Sequence, residues 1–179
     1  MLCVIAKLND AAAEKLAAIR EAAFPEGRVL KHLHGHITIA TYLGNEEDQF
    51  IRSCRELLKD FPLFEIEYEK IEVLEETSII VATPKKSGQL DLMHQSIAEK
   101  YNDSLDVWTQ KDRWYPHTTL FYSPEEDLHS ICGKMRAEFE PFLARICRIE
   151  FSRVCNSGYE IVDHVDLTTR QISSKESSH

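Results

Sequence analysis

Two short stretches, His36-Ile37-Thr38-Ile39 and His117-Thr118-Thr119-Leu120, each set an imidazole and, two residues on, a hydroxyl. In an extended strand, side chains alternate between faces, so His36 with Thr38, and His117 with Thr119, each share one face. Histidine titrates near neutrality, so at one pH one imidazole can act as base while another acts as acid. Two such groups facing each other suit phosphodiester cleavage. One takes a proton from the attacking water or hydroxyl, and the other gives one to the leaving oxygen. The hydroxyls of Thr38 and Thr119 are neutral donors able to hold nonbridging phosphate oxygens between the imidazoles. The scheme needs no metal and no cofactor. A third match, His94-Gln95-Ser96, lies within a helical stripe around Met93 and Ile97. There, positions i and i+2 point about 200° apart, so that match does not share the geometry.

The rest of the chain reads as the frame that holds these stretches. Leu2–Leu8 is a short apolar run, expected as a buried strand. Asn9 or Asp10 then caps an alanine-rich helix carrying Leu16, Ile19 and Phe24, stopped by Pro25 and Gly27. The first motif strand runs to Leu43, and Gly44-Asn45 closes it, with Asn45 expected to cap the next helix. Phe50, Cys54, Leu57, Leu58 and Phe61 make that helix's single apolar stripe. From Leu63 to Glu75 the alternation is that of a half-buried strand whose phase changes near Glu69-Lys70, which predicts a bulge. Thr77–Thr83 is a β-branched strand ended by Pro84, and a helix follows over Ser87–Asn102. A charged, aromatic loop from Asp103 to Pro116 leads into the second motif strand, His117–Tyr122. Ser123-Pro124-Glu125-Glu126 predicts a helix start, with a serine cap, proline at the first helical position and glutamate three residues in. Arg145–Val154 and Tyr159–Leu167 are expected to close the chain as strands around Asn156-Ser157-Gly158. The polar, serine-rich residues 169–179 are expected to be a frayed tail.

The element types in the two halves match, and the motifs stand 81 residues apart in a chain of 179. This predicts one bilobal domain over residues 1–168, with lobes near 1–75 and 76–168 that exchange strands, and a cleft between the motifs. Apolar residues make up 43% of the chain, ordinary for a soluble globular protein, and no apolar run reaches the length of a membrane span. Five cysteines without a C-x-x-C pair argue against a disulfide framework and a zinc ribbon, and the expected location is cytoplasmic. The formal net charge of −9 opposes binding of long duplex nucleic acid, which needs a basic face. RNA ends or small nucleotides fit that charge better. Local relief comes from Arg28 and Lys31 before the first motif, and from Lys111 and Arg113 before the second.

Several neighbours compete for roles. Trp114 and Tyr115 are placed either to stack a base or to pack over the lobe junction. Tyr42 has the parity of His36 and is expected on the motif face, whereas Tyr122 has the opposite parity to His117 and is expected in the core. His32, His34 and His36 at alternate positions offer a rival reading as a metal-dependent hydrolase. A noncatalytic module binding a nucleotide phosphate in the same cleft is the rival from another class.

The paired H-x-T strands, their half-chain spacing and above all Trp114-Tyr115-Pro116-His117-Thr118-Thr119-Leu120 resemble the two-histidine (2H) phosphoesterase superfamily. Within it, the chain is similar to the 2'-5' RNA ligase-like and RNA 2',3'-cyclic phosphodiesterase group. The resemblance runs to about Leu167. It implies an α+β bilobal fold with antiparallel sheets lining a central cleft and helices outside. It also implies metal-independent catalysis on 2',3'-cyclic or 2'-5' phosphodiesters, with His36 and His117 as the catalytic histidines and Thr38 and Thr119 as the phosphate-binding hydroxyls. The first motif departs from the family in ending on isoleucine where leucine is frequent.

Overall fold

The computed structural model describes residues 1–24, 35–155 and 158–168. β1 (Leu2–Leu8) has no exposed residue, and Leu2, Val4, Ile5, Ala6 and Leu8 are buried. A strand covered on both faces belongs in the middle of a sheet. β1 lies between β2 (His36–Tyr42) and β6 (Phe142–Cys155), antiparallel to both. β6 is the long spine. One edge pairs β1, while the other pairs β3 (Phe64–Val73) with its first residues and β7 (Gly158–Asp166) with the rest. β3 continues to β4 (Ile79–Pro84), and β4 to β5 (Thr118–Tyr122). Among the described residues, seven strands thus form one sheet in the order β2-β1-β6-β3-β4-β5, with β7 beside β6. The fold is α+β, and the strands of both halves join into that single sheet.

Among the described residues, four α-helices cover it. α1 (Asp10–Ala23) buries Ala12, Leu16, Ile19 and Ala23 on one stripe, and α4 (Leu128–Ala137) buries Ile131, Cys132 and Met135. These two pack against each other, α1 reaching β5 and β6, and α4 reaching β3 and β4. α2 (Glu47–Leu58) and α3 (Gly88–Tyr101) make a second pair, touching β7 and β2 respectively. No described helix is long and apolar enough to cross a membrane. Cys3, Cys54, Cys132 and Cys147 are free thiols.

Four local expectations are corrected by where hydrogen bonds and apolar surface fall. The helix expected from Ser123 begins at Leu128. The Ser123 hydroxyl does accept from the Glu125 and Glu126 amides, but Asp127 supplies the helix cap, accepting from His129 and Ser130. Pro124-Glu125-Glu126 has nothing apolar to bury, so the turn closes before the helix starts. Asn9 stands at the cap position of α1, yet its Oδ1 accepts from the Arg145 amide and ties the helix entry to β6. The cap position of α2 falls on Glu46 rather than Asn45. β6 starts at Phe142 rather than Arg145, because Phe142 stacks on Tyr68 and extends the pairing with β3. The bulge expected near Glu69-Lys70 is present, as the pairing with β4 steps from Tyr68 to Lys70.

The two motif strands carry matching bulges. In β2, Val4 pairs Ala40 and Ile5 pairs Thr38, so Ile39 is the extra residue. In β5, Ile80 pairs Phe121 and Val81 pairs Thr119, so Leu120 is the extra residue. Each bulge falls directly after the threonine of H-x-T, and each shifts the strand's phase by one. Both tyrosine expectations are thereby reversed. Tyr42 turns inward and stacks on Phe50 of α2 at 4.2 Å, 6% exposed, while Tyr122 is 54% exposed.

β2 and β5 end the strand order, yet the sheet curls until they meet. The Thr118 hydroxyl donates to the His36 carbonyl at 2.8 Å and is itself hydrogen-bonded to Tyr68 of β3. Thr118 has one hydroxyl proton and spends it on His36, so Tyr68 is the donor in its bond to Thr118. Thr118 and Tyr68 are both buried, and burial pushes the Tyr68 phenol well above its ordinary range. Thr118→Val should keep the shape while stranding the buried Tyr68 hydroxyl and the His36 carbonyl. It is expected to cost about 1–3 kcal/mol in urea denaturation, and Tyr68→Phe about 1 kcal/mol, because the Thr118–His36 bond survives that change.

Candidate active site

The meeting of β2 and β5 fixes the two motifs side by side. A second bond reinforces it, from Trp114 Nε1 to the Thr38 carbonyl at 2.9 Å. Thr38 from the first motif and His117 from the second, with Trp114 and Tyr115, share the wall of a cleft of about 280 Å³. This is close to the lower end of small-ligand sites, about 300 Å³. His36 stands two residues before Thr38 on β2, and Thr119 of β5 two residues after His117, which directly precedes that strand; both are half-buried, and neither is among the residues lining this cleft. Arg28, Lys31, His32 and His34 lie outside the described residues.

The geometry of His117 defines its protonation. Nδ1 lies 2.8 Å from the Tyr115 carbonyl, and a carbonyl can only accept, so Nδ1 carries the hydrogen. In the neutral ring Nε2 therefore holds the lone pair. Desolvation lowers the His117 pKa from the ordinary histidine value, and the bond to Tyr115 opposes that only in part. The resting form is a neutral imidazole.

Tyr115 is itself held. Its ring lies against His117, centroids 6.3 Å apart, and its hydroxyl donates to Glu72 at 2.6 Å. Glu72 also accepts from Thr83 at 2.9 Å and from Lys70 at 2.8 Å. Burial works to raise the Glu72 carboxyl, but the bonds from Lys70, Tyr115 and Thr83 outweigh it and hold the group ionised below its ordinary range. β3 and β4 thus brace the residue that braces His117.

Trp114 is braced from behind. His94 of α3 stacks on the indole at 4.2 Å and 12°, and its Nδ1 lies 2.9 Å from the Ile39 carbonyl. Among the described residues Nε2 of His94 has no hydrogen-bond partner, and burial lowers its pKa. One indole face is therefore occupied by α3, and Trp114 enters the cleft as a wall.

The cleft extends beyond the residues expected from the sequence. Residues Ser104–Thr109 run along the end of β2. The Asp106 amide donates to the Thr41 carbonyl, and the Thr41 amide donates to the Thr109 hydroxyl. Thr41, Asp106, Trp108 and Thr109 join the lining, as do Leu74, Thr77 and Ile79. Thr41 reaches it because the Ile39 bulge moves it onto the motif face. Arg113 is also a lining residue, and its guanidinium makes no ion pair among the described residues. Among the described residues no three His, Cys, Asp or Glu side chains converge as a metal site.

Comparison with known proteins gives a family and a fold. A model of the 2'-5' RNA ligase superfamily matches residues 8–155. No curated protein sequence matches the chain. Escherichia coli LigT complexed with NADP+ superposes with a TM-score of 0.67 at 15% identity, covering 94% of this chain and 97% of that one. TT0787 of Thermus thermophilus gives 0.66 at 16%, covering 94% and 98%. Escherichia coli LigT complexed with 3'-AMP gives 0.65 at 15%, with the same coverage of 94% and 98%. At such identities the likeness is one of fold.

Two histidines with lowered pKa values have a consequence for stability. Between the native values and the unfolded value of about 6.5, the unfolded chain binds protons that the native rings refuse. Stability should therefore be undiminished by these rings above pH 6.5 and fall as the pH drops below it. Urea midpoints across pH 5 to 8 check this, and His94→Phe should flatten part of the slope.

Proposed function

The chain belongs to the 2'-5' RNA ligase superfamily, and from that premise we propose that it is a metal-independent phosphodiesterase. It opens 2',3'-cyclic phosphates, or 2'-5' phosphodiesters, on RNA ends or small nucleotides in the cytoplasm. The observation that carries this reading is the shared wall of the cleft: Thr38 from one motif and His117, with its lone pair on Nε2, from the other. His117 is the base. Its Nε2 takes a proton from water as the water oxygen bonds to phosphorus. The bond from phosphorus to one ribose oxygen breaks, and His36 donates the proton that oxygen needs. The product is a nucleoside 2'- or 3'-monophosphate, and the two imidazoles have exchanged protonation states, which solvent resets. Thr38 and Thr119 donate to the nonbridging oxygens as charge builds there.

Hydrolysis of 2',3'-cyclic mononucleotides in excess chelator is the test. His36→Ala and His117→Ala should each reduce kcat about 10²- to 10⁴-fold, a barrier increase of roughly 3–5 kcal/mol. The pH profile should be bell-shaped, with its acidic limb below the ordinary histidine range because His117 must lose its proton. Loss of activity to the chelator would sink the proposal in favour of the metal-dependent reading. Monophosphate binding without turnover of any cyclic ester would favour a noncatalytic module.

A further inference from the structure

Most polar groups of the cleft are committed to the protein. The Thr109 hydroxyl accepts from the Thr41 amide and donates to the Asp106 carbonyl, and the Thr77 hydroxyl donates to Leu74. The Tyr115 hydroxyl is spent on Glu72, and Trp114 Nε1 on Thr38. Among the described residues, four lining groups besides the exposed Trp108 indole keep unused capacity: His117 Nε2, the Thr38 hydroxyl, the Arg113 guanidinium and the Asp106 carboxylate. Asp106 Oδ1 takes one bond, from the Trp108 amide at 3.0 Å, and Oδ2 takes none. A ligand that satisfies the cleft has to answer all four.

Their order along β2 decides what the ligand looks like. If phosphorus lies at His117 and Thr38, a premise taken from the proposed function, Asp106 stands farther along the cleft, beside Thr41. Three residues with one bulge span roughly 7–10 Å of strand. That is the reach of a nucleoside from its ribose phosphate to the far edge of its base. An ionised carboxylate only accepts, so the base must bring N–H donors to it. Trp108, 52% exposed, and the wall of Trp114 offer flat apolar surface for the ring. Arg113 offsets the repulsion between Asp106 and an anionic substrate.

We propose that Asp106 reads the Watson–Crick edge of guanine, making guanine cyclic nucleotides and RNA ends terminating in guanosine the substrates the cleft selects. Guanine presents N1–H and its 2-amino group side by side, two donors for one carboxylate. Adenine and cytosine set a ring acceptor beside their single amino group, and uracil flanks its one N–H with two carbonyls. Each of these turns lone pairs toward Asp106, and a site built for donors rejects such analogues strongly.

The test compares kcat/KM for 2',3'-cyclic GMP and 2',3'-cyclic AMP in the native protein, Asp106→Asn and Asp106→Ser. Both replacements retain an acceptor for the Trp108 amide. The native protein should favour guanine on the order of 10-fold or more, and the ratio should fall toward one in both variants. A native ratio near one, or a ratio unchanged in the variants, overturns the proposal. Calorimetry with 3'-GMP and 3'-AMP separates this idea from the hydrolase reading. Absence of turnover with any cyclic ester defeats the hydrolase, whereas equal affinity of the native protein for the two monophosphates defeats the guanine site. Tighter binding of 3'-GMP that is lost in the variants supports it.

Discussion

The chain of hydroxyls from Tyr68 through Thr118 to the His36 carbonyl is the interaction on which the site depends. β2 and β5 sit at opposite ends of the strand order and share no ladder. An open sheet of this size leaves its ends apart unless something draws them together. Here the closure is made by side-chain hydrogen bonds in a buried position, where an unmet partner is costly and the geometry is therefore strongly preferred. The same threonine that separates His117 from Thr119 in sequence faces inward and joins the strands, while His117 lines the cleft and Thr119 is half-buried. One residue of alternation thus divides structural from chemical work. That division explains why the second motif has threonine, rather than an apolar residue, between His117 and Thr119.

Much of this architecture is legible in the residue pattern. Both motif strands, the four helices, the bulge in β3 and the inward turn of the helix stripes follow from periods of 2 and 3.6. The faces of Tyr42 and Tyr122 are not legible, for a physical reason. Each H-x-T is followed by a bulge at an ordinary apolar residue, Ile39 or Leu120, and no glycine marks the extra position. Strict alternation then assigns every later side chain to the wrong face. Thr41 enters the cleft, Tyr42 leaves it, and Tyr122 comes to the surface through that single phase shift, repeated in both halves. The outer cleft is illegible for another reason. Asp106, Trp108 and Thr109 are brought to β2 by backbone bonds from a segment without periodicity, so charge and aromatic content mark the loop without marking which residues turn inward.

Burial and charge act on the site in opposite directions, and the outcome is decided residue by residue. Desolvation favours neutral His117 and His94; the Tyr115 carbonyl beside His117, and the Ile39 carbonyl and Asp91 charge near His94, oppose it without outweighing it. Desolvation also disfavours the Glu72 anion, but three donors converge on that carboxylate and reverse the outcome. A neutral imidazole thus stands on an ionised support. Tyr115 couples them, accepting the His117 proton contact through its backbone while giving its own hydroxyl proton to Glu72. The negative charge lies behind a tyrosine ring rather than against the imidazole, so it fixes orientation without raising the basicity of the proton acceptor by direct contact.

The net charge of −9 bears on what such a site can hold. A polymer binds through many phosphates, each needing a nearby cation, and its affinity scales with the number neutralised. This cleft presents neutral hydroxyls, a neutral imidazole, one unpaired guanidinium and the Asp106 carboxylate on its described walls. Affinity for a single phosphate end can come from such donors, because hydrogen bonds in a desolvated pocket do not depend on a surrounding positive field. Affinity for a long strand cannot. Under the proposed function, the net negative charge would repel internal phosphates while the cleft held one end, and selectivity for termini would arise from the balance of charge as much as from the shape of the cleft.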